Sequence, residues 1–381
     1  MTKTEFRRAA LDAAYLAGRA VKGEIPETER ISGMNLTEVC QAAGTHLIAA
    51  AAGMALESAG VSDPGFRRAI AEAQRKTLLL DRDQRRVTAA LEKAGIWYMP
   101  LKGSVLKMVY PRFAMREMAD IDILFDRSRA AEVRTIMKEL GFRVESFGTG
   151  PDDQYSRLPV SFVEMHRELF GWHPGADLQA WGREAAGRMI PDGNGGYGRR
   201  FSPEDFYLYQ VVHEYKHYAE DGTGIRSLLD VFVYLRKTRV DLDAVRREAE
   251  KLGLGDFERE NRELAFALFE EKPLTEAQQR MLDRFLRDGA FGSWENPVRE
   301  QVAELGRGKY FLSRLTMPKE KMLEEFPLLR KAPALYPVFW VGRLARGVFF
   351  RRKKLAMQVK ASLGMLPPEE KNGTSNRQDE G

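Results

Sequence analysis

Cysteine is almost absent: Cys40 stands alone among 381 residues. One thiol excludes an intramolecular disulfide framework, so the fold has to be held by its core, and such scarcity points to a reducing compartment. Also missing is any uninterrupted apolar run of the roughly 18 residues a membrane-spanning helix needs. The opening segment MTKTEFRRAALDAAYLAGRAVKGE carries charges throughout, where a secretory leader would carry an apolar centre. The compartment these features imply is cytoplasmic. Acidic residues are missing from one long stretch only, between Phe326 and Pro368, where Arg330, Lys331, Arg343, Arg346, Arg351, Arg352, Lys353, Lys354 and Lys360 all fall. The net charge of +5 is therefore concentrated near the C-terminus, and averaged over the chain it is too small to demand a nucleic-acid partner.

What is present suits a protein with a real core: 44% hydrophobic against 30% charged residues, in a length that allows two or three domains. Residues 4–60 read as helices, with Leu11, Ala14 and Tyr15 at helical spacing and an alanine-rich run from Thr45 to Ala59. Asp63-Pro64 starts a longer helix expected to place Leu78, Leu79, Val87, Ala90 and Leu91 on one side and to end at Gly95. The texture then changes. Ile96–Leu101 is a strand candidate, Gly103 opens a helix ending before Pro111, and Ala119–Phe125 is a second strand. Ser128–Leu140 is a helix, Phe142–Phe147 a third strand, and Leu158–Leu169 supplies at least one more. From Asp177 the chain is mostly helical, with Ser202-Pro203 a strong helix start. The fold class is α+β, a small mixed sheet between helical regions. The divisions are residues 1–77 (helical), 78–175 (the α/β domain), 176–300 (helical), 301–366 (basic and helical) and 367–381 (a polar tail without structure).

Within the sheet, alternation places Asp120 and Asp122 on one face while Ile121 and Ile123 enter the core. Two such carboxylates repel unless a cation lies between them, and hard oxygen donors suit Mg²⁺, which takes one or two carboxylates plus substrate phosphates. Neutralising either acid should then leave the metal-free protein as stable as before, or slightly more so. Upstream, Lys102-Gly103-Ser104 joins a strand to a helix. A glycine there permits close approach to a ligand, the serine offers a hydroxyl, the lysine a point charge, and the helix start free amides for a phosphate. Arg116 is a further candidate phosphate contact. In Phe162-Val163-Glu164-Met165-His166, Glu164 and His166 share a face, and Glu164 becomes a third acid if this strand lies beside the first.

The stretch LKGSVLKMVYPRFAMREMADIDILFD resembles the bacterial uncharacterised nucleotidyltransferase family of the polymerase-β-like superfamily, and the likeness continues through Val163–His166 and HEYKHYAEDGTGIRSLLDVFVYL. That superfamily pairs a Gly-Ser turn with a later Asp-x-Asp and a third acid on a neighbouring strand. The resemblance implies metal-dependent (Mg²⁺ or Mn²⁺) transfer of a nucleoside monophosphate from an NTP such as ATP to an acceptor. It assigns Gly103 and Ser104 to the triphosphate, Asp120 and Asp122 to metal, and Glu164 as third acid. Fifteen residues separate Ser104 from Asp120, longer than is usual in the superfamily. The acceptor (a small molecule, sugar, protein or RNA) stays open, and a catalytically inactive nucleotide-binding or interaction module with the same fold is the alternative.

One motif competes. His213-Glu214-Tyr215-Lys216-His217 matches H-E-x-x-H, in which two histidines one helical turn apart bind zinc and the glutamate is general base. Lys216 beside a ligand and the absence of a later histidine make a poor zinc peptidase. The aromatic, basic segment Leu335–Met365 is expected to be a packed helix with snorkelled cations, able to meet an anionic partner.

Overall fold

The computed structural model describes residues 1–170, 176–220 and 223–288, together with Tyr336, Pro337 and Phe339. The expectations for the basic segment 301–366 and the tail 367–381 lie otherwise outside the described residues. The chain divides into a unit Met1–Gly292 and a second, Ser293–Gly381; the sheet and the helices around it belong to the first.

Five helices open the chain: α1 (Lys3–Lys22), α2 (Thr28–Ser32), α3 (Leu36–Thr45), α4 (Ala49–Ser58) and α5 (Pro64–Lys93). Local causes set three of the starts. Thr2 and Glu5 form a reciprocal capping box on α1, and Asn35 caps α3. Asp63 accepts from the amides of Gly65 and Phe66, with Pro64 pre-set for the first turn of α5. The buried stripe of α5 is Phe66, Ile70, Ala73, Thr77, Leu80, Val87 and Leu91, and Leu78 is 58% exposed, so its expected place on the core side is corrected. A step of three or four residues from Ile70 lands on Ala73, Thr77 and Leu80; Leu78 falls about 100° off that line.

The central region follows as β1 (Tyr98–Pro100), α6 (Gly103–Leu106), β2 (Ile121–Phe125), α7 (Ala130–Glu139), β3 (Arg143–Ser146), β4 (Asp152–Arg157) and β5 (Ser161–His166). Sheet order is β1-β2-β5-β4-β3, mixed as expected: β2 and β5 run parallel and the other neighbours antiparallel. No strand is expected from the sequence where β4 lies. Its residues, DDQYSR, include one apolar side chain, Tyr155, and its other inward residue is Asp153, which accepts from the Gly148 amide and from Arg167. A buried acid with its own partners erases the apolar alternation that marks a strand.

Helices then return: α8 (Ala176–Ala185), a two-residue hairpin pair β6 (Ile190–Pro191) and β7 (Arg199–Arg200), then α9 (Pro203–Glu220), α10 (Ile225–Lys237), α11 (Leu242–Lys251), α12 (Gly255–Phe269) and α13 (Glu276–Asp288). Among the described residues, no helix is long and apolar enough to cross a membrane.

The sheet separates two apolar layers. On one side Ile121, Ile123, Phe125, Tyr155, Val163 and Met165 pack with Leu80, Val87 and Leu91 of α5 and Val133 and Met137 of α7. On the other, Met99, Leu101 and Leu124 join a large helical core that includes Leu16, Met54, Tyr209, Phe232 and Phe285. Ile121, Ile123, Val163 and Met165 are wholly buried, each contributing about 1.5–3 kcal/mol of transfer free energy. The residues between them on β2 and β5 are thereby fixed on the second face, where the polar cleft lies.

Candidate active site

Parallel pairing sets Asp122 directly opposite Glu164 and Leu124 opposite His166. The third acid thus lies on the strand beside the Asp-x-Asp segment. His166 Nε2 donates to Asp122 Oδ1 at 2.9 Å and stands 3.4 Å from Glu164 Oε2. Lys102 Nζ donates to Asp122 Oδ1 at 2.7 Å and lies 3.9 Å from Glu164 Oε2. Asp122 is 3% exposed. Burial works to raise its pKa, but Lys102 and His166 outweigh that and hold it well below the carboxylate range. Burial opposes the charge on Lys102 and on His166, yet the carboxylates keep both pKa values above their ordinary positions. Asp120 precedes β2. Burial and then repulsion from Asp122 push its pKa up to about 6.

Asp122, Glu164 and His166 form a group whose ligand atoms all lie within 4.8 Å of one another and could hold a metal ion; Asp120 is outside that group. The donor set fits a divalent cation on two counts. Two carboxylate oxygens suit Mg²⁺ or Mn²⁺, and the Lys102 ammonium already serves as the cation between Asp122 and Glu164. Alternation alone makes His166 a neighbour of Glu164; that it closes the group depends on the register of β5 against β2.

The phosphate turn differs from its expected form. The helix after Gly103 is four residues long and gives way to tight turns in which Met108 and Val109 donate to Val105 and Leu106 carbonyls. The Ser104 amide is committed to Leu101 O at 3.1 Å, so the turn does not present a row of free amides. Of its side chains, Lys102 lines the cleft and Ser104 does not. The buried Ser104 hydroxyl has no protein partner, and Lys102 is held at φ 44°, a left-handed conformation that side chains rarely adopt, with its ammonium on Asp122. A Cβ on Gly103 would stand 2.5 Å from Arg116 Nη1 and 2.9 Å from Met118 Cε, so glycine is required by the protein's own packing. Arg116 is buried, its Nε and Nη2 forming a two-pronged pair with Asp230 at 2.8 and 2.9 Å, and Tyr110 donates to the same Asp230 at 2.7 Å.

A cleft of about 410 Å³ joins these groups to α9 and α10, its walls including Lys102, Asp120, Glu164, Tyr209, His213 and Arg226. The helix bearing the H-E-x-x-H spacing therefore does face the site. His213 and His217 lie with Nε2 atoms 3.3 Å apart. Glu214 is engaged elsewhere: Asn261 of α12 donates to its Oε2 at 3.0 Å, and burial raises its pKa to about 8. A carboxyl that is protonated at neutral pH and tied to Asn261 is not the general base a zinc peptidase needs.

Glu214 yields a pH prediction. Its folded-state pKa, about 8, exceeds the ordinary 4.5, so the folded chain holds a proton that the unfolded chain releases, and stability falls as pH rises through that window. The loss is at most about 1.4 kcal/mol per pH unit. Glu214→Gln keeps an acceptor for Asn261 and should remove the slope. In urea unfolding, the variant should gain about 2 kcal/mol on the wild type between pH 6 and pH 8; parallel pH profiles would show that Glu214 is ionised in the fold.

Comparison with curated proteins and with solved structures gave no match. The model of the uncharacterised nucleotidyltransferase family, however, matches residues 32–270, from the end of α2 through α12 and across the whole cleft. With a match over more than half of its length, and with the carboxylates of β2 and β5 side by side in the cleft, this chain belongs to the uncharacterised nucleotidyltransferase family.

Proposed function

We propose that the cleft transfers a nucleoside monophosphate from an NTP to a hydroxyl or phosphate of an acceptor, releasing pyrophosphate. The observation that carries this reading is the in-register pairing of Asp122 with Glu164 on parallel strands, with Lys102 and His166 drawn onto the same two carboxylates. Asp122 and Glu164, with Asp120 or His166 completing the set, would hold Mg²⁺ or Mn²⁺. When bound, the ion supplies neutralisation of triphosphate charge. Lys102, which lines the cleft, would meet phosphate oxygens; the Ser104 hydroxyl, buried behind the turn, would reach them only if the turn moved, and Gly103 leaves room for Arg116 and Met118. Arg116, its charge taken by Asp230, shapes the cleft wall and is not assigned to phosphate. An acceptor oxygen forms the new bond to the α-phosphorus, the bond from that phosphorus to the bridging oxygen breaks, and its electron pair leaves on pyrophosphate. The proton of an acceptor hydroxyl passes to whichever of Asp120 and Glu164 does not hold the ion; neither has a short bond to Lys102. Cytoplasm is the compartment inferred from the single cysteine.

A second reading has its own observation. Lys102 bridges Asp122 and Glu164 as an internal cation, an arrangement that suits a module that has given up metal and catalysis. One experiment separates the two: purified protein incubated with each α-labelled NTP, Mg²⁺ or Mn²⁺ and cell extract, followed by identification of labelled product. Metal-dependent label transfer is expected; NTP binding without transfer selects the inactive module.

A further inference from the structure

Lys102 stands where the ion would have to go. Its ammonium donates to Asp122 Oδ1 at 2.7 Å and lies 3.9 Å from Glu164 Oε2, so it bridges both carboxylates of the candidate metal group. Two like-charged groups cannot share those oxygens cheaply, and a divalent ion held there would have to take the place of the ammonium. Lys102 has somewhere to turn. An ammonium carries three donors on a flexible stem, and the bond to Asp122 is its one hydrogen bond among the described residues. Tyr209 of α9 is 1% exposed, and its hydroxyl has no hydrogen-bond partner among the described residues. A buried hydroxyl in that condition is costly. Lys102 and Tyr209 both line the cleft, near enough for the lysine charge to act on the phenol. His166 makes the departure of the ammonium tolerable, because it also donates to Asp122, at 2.9 Å, and stands 3.4 Å from Glu164.

We propose that Lys102 is a resident counter-ion which a divalent cation displaces, its ammonium leaving Asp122 for the Tyr209 hydroxyl as the cation arrives. A cation on its own meets carboxylates that are already neutralised, and it binds weakly. A cation that arrives with a nucleotide brings negative charge for the displaced ammonium, so each strengthens the binding of the other by the same factor. The carboxylates are thereby kept from free divalent ions and opened to the ion and nucleotide together. The arrangement that suits a module without metal is, on this account, the resting position of a working one. The nucleotide half of the inference rests on the nucleotidyl-transfer reading; the displacement itself concerns Lys102, Tyr209 and the carboxylates, and is tested without nucleotide.

The test is Mn²⁺ alone, its binding followed by electron paramagnetic resonance and by thermal shift, on wild type, Lys102→Met, Lys102→Arg, Tyr209→Phe and the double variant Lys102→Met with Tyr209→Phe. Lys102→Met should bind Mn²⁺ roughly tenfold or more tightly than wild type, because a like charge beside the ion has been removed. Lys102→Arg keeps the charge and should stay close to wild type. Metal-free Lys102→Met should melt below wild type, and Mn²⁺ should raise its melting temperature by more than it raises that of wild type, a rescue that a purely structural lysine would not give. Tyr209→Phe should weaken Mn²⁺ binding severalfold by itself and have no effect once Lys102 is methionine. Lys102→Met binding Mn²⁺ within about twofold of wild type, or neither protein binding it, overturns the displacement and makes the ammonium a fixed partner of Asp122. An equal effect of Tyr209→Phe in both backgrounds overturns the hydroxyl as the place where the ammonium goes. Should Lys102→Met not fold, Lys102→Gln decides by the same affinities. Tighter Mn²⁺ binding in Lys102→Met without NTP transfer by wild type leaves the displacement standing and removes the transfer reading. Transfer by wild type with Mn²⁺ affinity unchanged in Lys102→Met does the reverse.

Discussion

Replacing Asp122 with asparagine is expected to cost the protein both stability and transfer, and the two losses have different causes. The carboxylate accepts from Lys102 at 2.7 Å and from His166 at 2.9 Å while 3% exposed. The amide leaves the Lys102 ammonium and the His166 ring facing a neutral group, and breaking a pair at a carboxylate this deeply buried costs about 3–5 kcal/mol. Reasoning from repulsion alone, either Asp120→Asn or Asp122→Asn would be harmless to the metal-free fold. The structure restricts that expectation to Asp120, whose carboxyl pKa is raised by burial and by Asp122 and which gains from losing its charge. Transfer in Asp122→Asn should fall by roughly 10³-fold or more, beyond what one electrostatic group ordinarily supplies, because the cation site is lost with it. The stabilisation that NTP and Mg²⁺ give the wild type should vanish as well. Adding Lys102→Met to Asp122→Asn removes one stranded cation and should restore part of the stability and none of the activity, a coupling that a double-mutant cycle reads directly. An Asp122→Asn protein that unfolds at the wild-type urea midpoint and keeps its nucleotide-induced shift would refute this account.

Gly103→Ala is the second large effect. A methyl group at this position meets Arg116 Nη1 at 2.5 Å, and Arg116 has no room to yield because Asp230 grips it through Nε and Nη2. Either the turn carrying Lys102 moves or the buried pair opens. The expected cost is about 3 kcal/mol, the lower end for breaking such a pair. Nucleotide binding should weaken because Lys102 is displaced, even though Asp122, Glu164 and His166 are untouched. Urea unfolding and NTP titration measure the two separately. Because Asp230 also accepts from Tyr110, Tyr110→Phe gives a milder control that loosens Asp230 while leaving the turn in place. Wild-type stability in Gly103→Ala would mean that the turn has slack the packing does not show.

The parts of the site legible in the sequence are those fixed by alternation. Ile121, Ile123, Val163 and Met165 announce one buried face, so Asp122, Glu164 and His166 have to share the other. The adjacency of the two strands is a supposition at that level, and the register Asp122 to Glu164 is what the structure adds. The turn at Lys102 is legible as a place and not as a conformation: nothing in Leu-Lys-Gly-Ser announces a lysine at φ 44° or a helix of four residues. Long-range partners are invisible for the same reason. Arg116 reads as a phosphate contact until Asp230, 114 positions away, is seen to hold it. Glu214 reads as a zinc peptidase base until Asn261, 47 positions away, claims its oxygen. Spacing constrains what a residue can face, and only tertiary packing selects among the possibilities.

The shared strand register has a practical consequence for any preparation of this protein. Side chains alternate along β5, so a slip of one residue against β2 would turn Glu164 and His166 into the apolar layer under α5 and α7 and expose Val163 and Met165 to the cleft. No partly working, slightly misaligned sheet is available to the chain. Heterogeneity between batches should therefore appear as a varying fraction of competent molecules, each with the same affinity, and active-site titration would double as an assay of how much of the sheet has paired correctly.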